Sequence, residues 1–207
     1  DNDFYGIVFS LNHKKNRLDF TFGGGWNTYD GDHFGNVIWG EYLGKIDPNH
    51  EWYFNNGLKK DFNIYTKFIY ELTPQLNAFA DLQYRRIYYQ IDGIDDDLRD
   101  ITQQHEFNFF NPKFGLFYQP AFNQELYLSF AVANREPNRS NYVDAPPERN
   151  QPVHETLQNW EFGYNYKSSE FSLAANLYYM DYKNQLVLTG EINDVGAPIM
   201  VNVNESY

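Results

Sequence analysis

The connections between the amphipathic segments of this chain alternate between very short and long. The short ones are His13-Lys14-Lys15-Asn16, Thr73-Pro74-Gln75, Pro120 to Gln124, and Ser168-Ser169. The long ones span residues 28–59, 92–105, 136–156 and 191–198. In an up-and-down antiparallel sheet, successive connections lie at opposite ends of the strands. The alternation therefore predicts a meander with all its short turns at one end and all its long connections at the other.

Apolar and polar residues alternate at every second position, which predicts the strands themselves. Between Lys60 and Leu72, for example, Phe62 and Phe68 share one face, and Asp61 and Asn63 share the other. The same pattern predicts nine strands, at about 4–12, 17–27, 59–72, 76–91, 106–119, 125–135, 157–167, 170–190 and 199–207. The eighth should bulge near Asp181, where the alternation slips. No segment keeps a helical period with caps at both ends, so we predict an all-β fold.

The composition combines many aromatic residues with a hydrophilic mean hydropathy. The 207 residues include 18 Tyr, 18 Phe and 4 Trp, yet the mean hydropathy is −0.67. Strands with one apolar and one polar face have this character, and transmembrane β-barrels add aromatic girdles. A soluble β-sandwich rich in Tyr shows the same alternation with its apolar face turned inward. The connection lengths favour the barrel, because a sandwich has no reason to keep its long loops at one end.

Charge and residue types exclude several kinds of chemistry. The net charge of −12 argues against a nucleic-acid binder, which needs a basic stripe. The absence of cysteine excludes disulfides and Cys-ligated metals. The five histidines fall in predicted turns or loops, and Gly23-Gly24-Gly25 precedes neither a Lys-Ser/Thr pair nor a helix. With no nucleophile motif either, we expect no catalysis, no cofactor and no bound transition metal.

Two predicted loops carry candidate binding residues. One holds an acidic cluster without the ligand spacing of an EF-hand, made of Asp92, Asp95, Asp96, Asp97 and Asp100. A solvated loop is the main interpretation of this cluster, with calcium or a divalent bridge to lipopolysaccharide as the alternative. The longest predicted loop holds the aromatic residues Trp39, Tyr42, Trp52 and Tyr53. These rings could stack on a ligand such as a sugar, a haem or a siderophore, or cover the mouth of a barrel.

The second half of the chain carries recognisable motifs. From Phe109 to Tyr142 it reads FFNPKFGLFYQPAFNQELYLSFAVANREPNRSNY. This resembles a strand–turn–strand of TonB-dependent outer-membrane receptors, in the motifs Asn111-Pro112-Lys113, Tyr118-Gln119-Pro120, Ser129-Phe130 and Arg135-Glu136-Pro137. The run PVHETLQNWEFGYNY that follows resembles the family's next strand, with Glu155, Trp160, Glu161 and Gly163 in the motif positions and His154 where the family often has Pro. Segments 179–184 and 202–206 continue the resemblance, which covers about residues 109–207.

The resemblance implies a barrel of about 22 strands around an N-terminal plug. In that family a TonB box on the plug couples to an energy-transducing complex, and a scarce nutrient is imported. Neither plug nor TonB box is visible here, so we expect residues 1–207 to be a partial barrel domain with both ends cut. The sheet edges, near residues 4–11 and 199–204, should be completed by missing segments, by another chain or by a second copy.

The resemblance also assigns roles to residues. The motif residues Arg135, Glu136, Pro137, Glu155, Trp160, Glu161 and Gly163 are expected to be structural. The side chains expected to face lipid are Phe62, Phe68, Leu128, Phe162, Leu173 and Leu177. Those expected to line a wet lumen or contact the plug are Asp81, Glu161, Asn165 and Lys167.

The implied location is the bacterial outer membrane, and the implied activity is nutrient import. The expected partners are outer-membrane lipid, lipopolysaccharide, the TonB complex through the missing plug, and a siderophore, haem, cobalamin or glycan ligand. Two alternatives stay open: a passive porin-like channel, and a soluble β-sandwich module that binds carbohydrate. The Arg-Glu-Pro motif and the spacing of Glu155, Trp160, Glu161 and Gly163 weigh against the porin.

Overall fold

The computed structural model describes residues 1–42, 44, 47, 49–144, 151–193 and 196–207. Parts of three predicted long connections, at 43, 45, 46, 48, 145–150, 194 and 195, lie outside the described residues. The chain divides into two compact units. Unit 1 contains residues 1–9, 24–63 and 85–108, and unit 2 contains residues 10–23, 64–84 and 109–207.

The fold is a nine-stranded antiparallel meander in which each strand pairs with its neighbours in sequence. The strands are β1 (Asn2–Lys15), β2 (Leu18–Val37), β3 (His50–Thr73), β4 (Leu76–Gly93), β5 (Gln103–Ala121), β6 (Gln124–Arg135), β7 (Glu155–Lys167), β8 (Ser172–Ile192) and β9 (Pro198–Ser206). The predicted strand number and order are confirmed. Within the described residues all nine strands belong to one sheet, so the two-sheet sandwich alternative is wrong.

The short turns lie at one end of the sheet, as their lengths predict. Hydrogen bonds join each short turn to the strand end beside the next one. Glu71 N–H donates to the oxygen of Arg17 (2.9 Å), Gln119 N–H to that of Gln75 (2.7 Å), and Lys167 N–H to that of Asn123 (3.0 Å). Because these contacts link successive turns, the four turns form a single row.

The first long connection is much shorter than the sequence predicts. β2 continues to Val37 and β3 begins at His50, so the connection covers residues 38–49, not 28–59. The backbone hydrogen bonds of a sheet do not require apolar side chains. In this part of the sheet, polar side chains of neighbouring strands contact one another instead. Asn56 Nδ2, for example, donates to Asp30 Oδ1 at 2.7 Å and to Asp32 Oδ1 at 3.0 Å.

The predicted bulge near Asp181 is wrong. The β7–β8 register is unbroken from Thr156↔Lys183 to Lys167↔Ser172 and pairs Asp181 with Gln158. The alternation slips at Asp181 because the apolar side of the strand becomes polar there. The backbone leaves extended geometry three residues later, at Asn184, whose φ is 55°. The register shifts of the β5–β6 and β8–β9 pairs lie elsewhere, between Tyr118 and Ala121 and between Leu188 and Ile192.

The all-β fold class is confirmed, and one short helix lies between β6 and β7. Helix α1 (Arg139–Val143) begins after Asn138, whose side-chain oxygen accepts from Asn141 N–H at 3.0 Å. Asn141 Oδ1 in turn accepts from Asn138 N–H at 2.9 Å, which completes a reciprocal capping box. Five residues are too few to display a helical period, so the pattern could not reveal the helix. Among the described residues, none of the helical segments has the length and apolar character of a membrane-spanning helix.

The first and last strands are the two edges of the sheet. In the strand order of the described residues, β1 has only β2 as a neighbour and β9 has only β8. All 14 residues of β1 are exposed, including the large apolar side chains Phe4, Ile7, Val8 and Leu11. The predicted edges are therefore confirmed.

Candidate functional site

One side of β5–β8 is a continuous apolar surface, which we call the apolar face. The strand registers align its side chains in three rows: Phe114–Phe130–Trp160–Tyr179, Leu116–Leu128–Phe162–Leu177 and Tyr118–Leu126–Tyr164–Ala175. In the middle row Leu128 is 46% exposed and Leu177 is 70% exposed. An apolar patch of this extent is unfavourable in water and indicates contact with an apolar environment.

The apolar face has a limit at each end. Toward the long connections, the rows after Trp160 and Tyr179 pair Gln158 with Asp181 and Thr156 with Lys183. Toward the short turns, the ring of Tyr166 packs against that of Phe171 with centroids 5.2 Å apart. Aromatic residues thus mark both limits of the apolar stretch, as they mark the two interfaces of a membrane-spanning strand wall.

Small residues of β4 create a groove in this surface. Ala78 and Ala80 lie between larger side chains of β3 and β5, such as Phe68 and Phe114, and the groove has a volume of about 620 Å³. Its lining is almost wholly apolar. A hydrocarbon chain suits such a groove better than water does.

The opposite side of the same strands is polar, and we call it the polar face. Glu161 and Asn165 alternate with apolar-face residues of β7, so both lie here, as predicted. Glu161 Oε1 accepts from Asn159 Nδ2 at 2.7 Å. Asp81 borders a second groove of about 430 Å³, together with Lys67 and Lys113.

In unit 1 an ion pair lies on the side of β3 and β4 opposite Phe62 and Tyr84. Arg85 Nε donates to Asp61 Oδ2 at 2.9 Å, and the Arg85 Nη2 contacts the same carboxylate. Asp61 is buried, with 8% of its surface exposed. A largely buried carboxylate keeps its charge at low cost only with such a partner.

Two rings of the polar face lie against glycines of neighbouring strands. Tyr127 is the register partner of Gly163, and a Cβ added to Gly163 would lie 2.0 Å from Tyr127 Cε1. Phe79 covers Gly115 in the same way, with a corresponding distance of 2.4 Å. The glycines leave room for the rings to lie flat along the sheet.

We expect Gly163→Ala to destabilise the folded protein by about 1–3 kcal/mol, because the new methyl group forces Tyr127 out of its position. Urea unfolding of the full-length protein measures this effect. In a Tyr127→Ala background the same substitution should cost little. An equal cost in both backgrounds would show that the Tyr127 ring is not the reason for the glycine.

The structure brings several of the motif residues together. Arg135 and Glu155 are register partners, and Arg135 Nε lies 2.5 Å from Glu155 Oε2. The other carboxylate oxygen of Glu155 accepts from Leu186 N–H at 2.6 Å. Pro137 is fully buried directly before the capped helix. These contacts join the ends of β6 and β7 to β8 and α1.

The four loop aromatics do not form one site. Trp39 and Tyr42 lie outside the strands and are 79% and 90% exposed. Trp52 and Tyr53 belong to β3, so their predicted loop position is wrong. Trp52 Nε1 donates to the backbone oxygen of Asp96 at 3.0 Å, and the ring of Tyr53 packs against Gly35. Trp39 and Tyr42 therefore remain as the two aromatics of the connection, and Trp52 is 45% exposed on β3.

The acidic loop is more ordered than a solvated cluster. Asp95 is buried, and its two carboxylate oxygens accept from Arg99 N–H and Arg99 Nε, each at 2.9 Å. The hydrogen bond from Asp95 raises the pKa of the Arg99 guanidinium above its usual value. Carboxylate oxygens of Asp95, Asp96 and Asp97 lie within 4.8 Å of one another. Because the Asp95 carboxylate is already hydrogen-bonded to Arg99, the geometry does not favour the alternative of a calcium site.

A one-sheet antiparallel meander with an aromatic-bounded apolar face and a polar opposite face is the strand wall of a transmembrane β-barrel. Comparisons with solved structures agree with this class. The copper transporter OprC superposes on 98% of this chain and 33% of its own length, with a TM-score of 0.79 and 10% identity. The ferric-catecholate import receptor Fiu of E. coli K12, in its closed form, covers 97% of this chain and 33% of its own length, with a TM-score of 0.68 and 16% identity.

A third structure, the FrpB iron transporter of Neisseria meningitidis (F5-1 variant), covers 99% of this chain and 32% of its own length, with a TM-score of 0.66 and 18% identity. The chain thus spans about a third of the length of these proteins. No curated protein matches the sequence. The family model for the TonB dependent receptor-like β-barrel matches residues 1–207, and the chain belongs to this family. The family is one of transporters and receptors, not of enzymes.

Proposed function

We propose that this chain is part of the barrel wall of an outer-membrane receptor that imports a scarce nutrient with energy from the TonB system. The observation that carries the proposal is the two-sided sheet, with rows such as Leu116–Leu128–Phe162–Leu177 exposed on one side and Glu161 and Asn165 on the other. A lipid-facing side and a water-facing side are what a barrel transporter needs. The family match over the whole chain supports the same function.

The proposed partners follow from the two faces. Outer-membrane lipid and lipopolysaccharide cover the apolar face, and Asp81, Glu161, Asn165 and Lys167 border the lumen. The TonB complex acts through a plug that other parts of the receptor supply. We propose neither intrinsic catalysis nor nucleic-acid binding, which the net charge of −12 disfavours.

The nutrient is a siderophore, haem, cobalamin or a glycan. The structural neighbours include an import receptor for ferric catecholate, an uptake receptor for ferric yersiniabactin and a copper transporter. These neighbours favour a metal or a metal chelate as the first ligand class to test. Trp39 and Tyr42 are the proposed aromatic contacts on the loop side.

The proposed function is tested by uptake in cells that produce the complete receptor. Labelled ferric siderophores, haem, cobalamin and oligosaccharides are supplied at limiting concentration, with TonB intact and with TonB deleted. We expect one ligand class to accumulate only when TonB is intact. Accumulation that persists without TonB would identify a passive channel instead.

For the ligand that is taken up, a Trp39→Ala/Tyr42→Ala variant should bind it more weakly, since each lost ring removes stacking area. Equilibrium binding to purified receptor measures the change. Replacing Phe122, which is 94% exposed at a short turn, with Ala is the matched control. Unchanged affinity in the double variant would remove Trp39 and Tyr42 from the ligand site.

A further inference from the structure

A groove with two cations lies on β3 and β4, on the long-connection side of the lipid-facing residue Phe62. We call it the interfacial groove. It has a volume of about 520 Å³ and is lined by Trp26, Leu58, Lys60, Phe62, Arg86, Tyr88 and Gln90. Lys60 and Leu58 alternate with Phe62 on one face of β3, and Arg86 and Tyr88 follow Tyr84 on the matching face of β4.

The charges of this groove do not follow the acidic character of the chain. The chain carries 28 acidic and 16 basic residues, yet the groove lining contains Lys60, Arg86 and no carboxylate. Lys60 Nζ lies 5.8 Å from the centroid of the Tyr88 ring. A lysine and an arginine directly beyond a lipid-facing stretch are the groups that bind phosphate at a membrane surface.

One carboxylate competes for this site from the neighbouring strand. Arg86 Nη2 lies 3.3 Å from Glu106 Oε2, and the two side chains are 57% and 45% exposed. An ion pair as exposed as this contributes little. Arg86 can therefore exchange Glu106 for a phosphate, which its guanidinium binds through two parallel hydrogen bonds.

Neutral groups of the groove suit a sugar better than a simple glycerol headgroup. Tyr88 OH donates to Gln90 Oε1 at 2.7 Å, which places a hydroxyl and an amide beside the cations. The ring of Trp26 supplies a flat surface at the apolar end of the groove. Long connections are the extracellular side of outer-membrane barrels, so the groove would face the headgroups of the outer leaflet.

We propose that the interfacial groove binds the phosphorylated sugar headgroup of lipopolysaccharide, with Lys60 and Arg86 on the phosphate and Trp26, Tyr88 and Gln90 beside the sugar. This inference rests on the proposed membrane location, and it assigns residues to one of the proposed partners. Phe62, at the apolar end of the groove, would contact the acyl chains of the same lipid.

The test uses the complete receptor purified in detergent and placed in phosphatidylcholine nanodiscs that contain either lipopolysaccharide or phosphatidylglycerol. Native mass spectrometry counts the bound anionic lipids. A Lys60→Gln/Arg86→Gln variant should bind lipopolysaccharide roughly 30-fold more weakly, because each cation near a membrane surface strengthens such binding by a factor of about five. Phosphatidylglycerol binding should change less, because this lipid has one phosphate charge for the two cations and no sugar for Trp26, Tyr88 and Gln90 to contact.

A matched control removes two cations from the polar face. In Lys67→Gln/Lys113→Gln the same charge is lost, and Lys113 Nζ lies 5.9 Å from the Phe79 ring much as Lys60 lies above Tyr88. This variant should keep its lipopolysaccharide affinity. Glu106→Gln, which removes the competing carboxylate, should bind lipopolysaccharide more tightly, and it serves as the test if the first variant does not fold.

The proposal would be wrong if the Lys60→Gln/Arg86→Gln variant bound lipopolysaccharide as tightly as the unsubstituted receptor. It would also be wrong if Glu106→Gln bound lipopolysaccharide equally well or more weakly. An equal loss of phosphatidylglycerol binding would overturn the assignment of a sugar headgroup. The uptake assay of the proposed function runs on the same receptors. If import continues and the groove variants show no change in lipopolysaccharide binding, this inference is wrong and the proposed function still stands.

Discussion

Leu128→Arg is expected to lower the free energy of unfolding of the membrane-inserted receptor by about 2–4 kcal/mol. Leu128 lies in the middle row of the apolar face, paired with Leu116 on one side and Phe162 on the other. An arginine at this depth either leaves its charge in hydrocarbon or draws water and headgroups toward it, and both are costly. The measurement is urea unfolding of the complete receptor in lipid vesicles.

Asn165→Arg is the matched control, because Asn165 lies on the polar face of β7. A charge there reaches water, so the cost should stay below about 1 kcal/mol. The difference between the two arginines measures the sidedness of the sheet directly. If both substitutions cost the same, the apolar face does not contact lipid.

Glu155→Ala should destabilise the protein by about 3 kcal/mol. The side chain of Glu155 is 8% exposed and accepts hydrogen bonds from both Arg135 and the backbone of Leu186. Its removal leaves the Leu186 N–H without its acceptor and Arg135 without its charge partner. Thermal unfolding of the complete receptor, followed by its heat-dependent gel mobility, measures the loss.

Arg135→Gln separates the two contacts of Glu155. The Arg135 side chain is 67% exposed, but the Glu155 carboxylate is only 8% exposed, so removal of the guanidinium leaves a buried charge with one hydrogen bond and should cost about 1–2 kcal/mol, less than Glu155→Ala. Glu155 keeps its hydrogen bond from Leu186 in this variant. A loss as large as that of Glu155→Ala would mean that the ion pair, and not the backbone contact, stabilises this end of the sheet.

The sequence was sufficient to predict the strand number, the meander and the two faces of each strand. These features depend on local patterns, since side chains alternate across a strand whatever it pairs with. Leu128 and Phe162 could thus be placed on one face before their register was known. The strand ends were harder to predict, because β2 and β3 continue past their apolar stretches through polar pairs such as Asn56 with Asp30.

The positions of some candidate site residues could likewise be predicted from the sequence, and those of others could not. Trp39 and Tyr42 were correctly placed in an exposed connection, whereas Trp52 and Tyr53 lie in β3. The sequence predicts that Asp95 is one of several solvated carboxylates, yet its side chain is buried against Arg99. The four-residue spacing of Asp95 and Arg99 was visible, but only the folded loop shows that their side chains meet.

Residue alternation and turn length are enough to predict amphipathic strands with short turns at one end, and the motifs identify the family. Both signals are local, so they can be recognised without knowing which strands pair. The cross-strand contacts become visible only in the folded sheet: Glu155 with Leu186, Tyr127 over Gly163, and Lys60 beside Arg86. The residues of each pair are between 26 and 36 positions apart in the chain, and the strand register, which no local pattern specifies, brings them together.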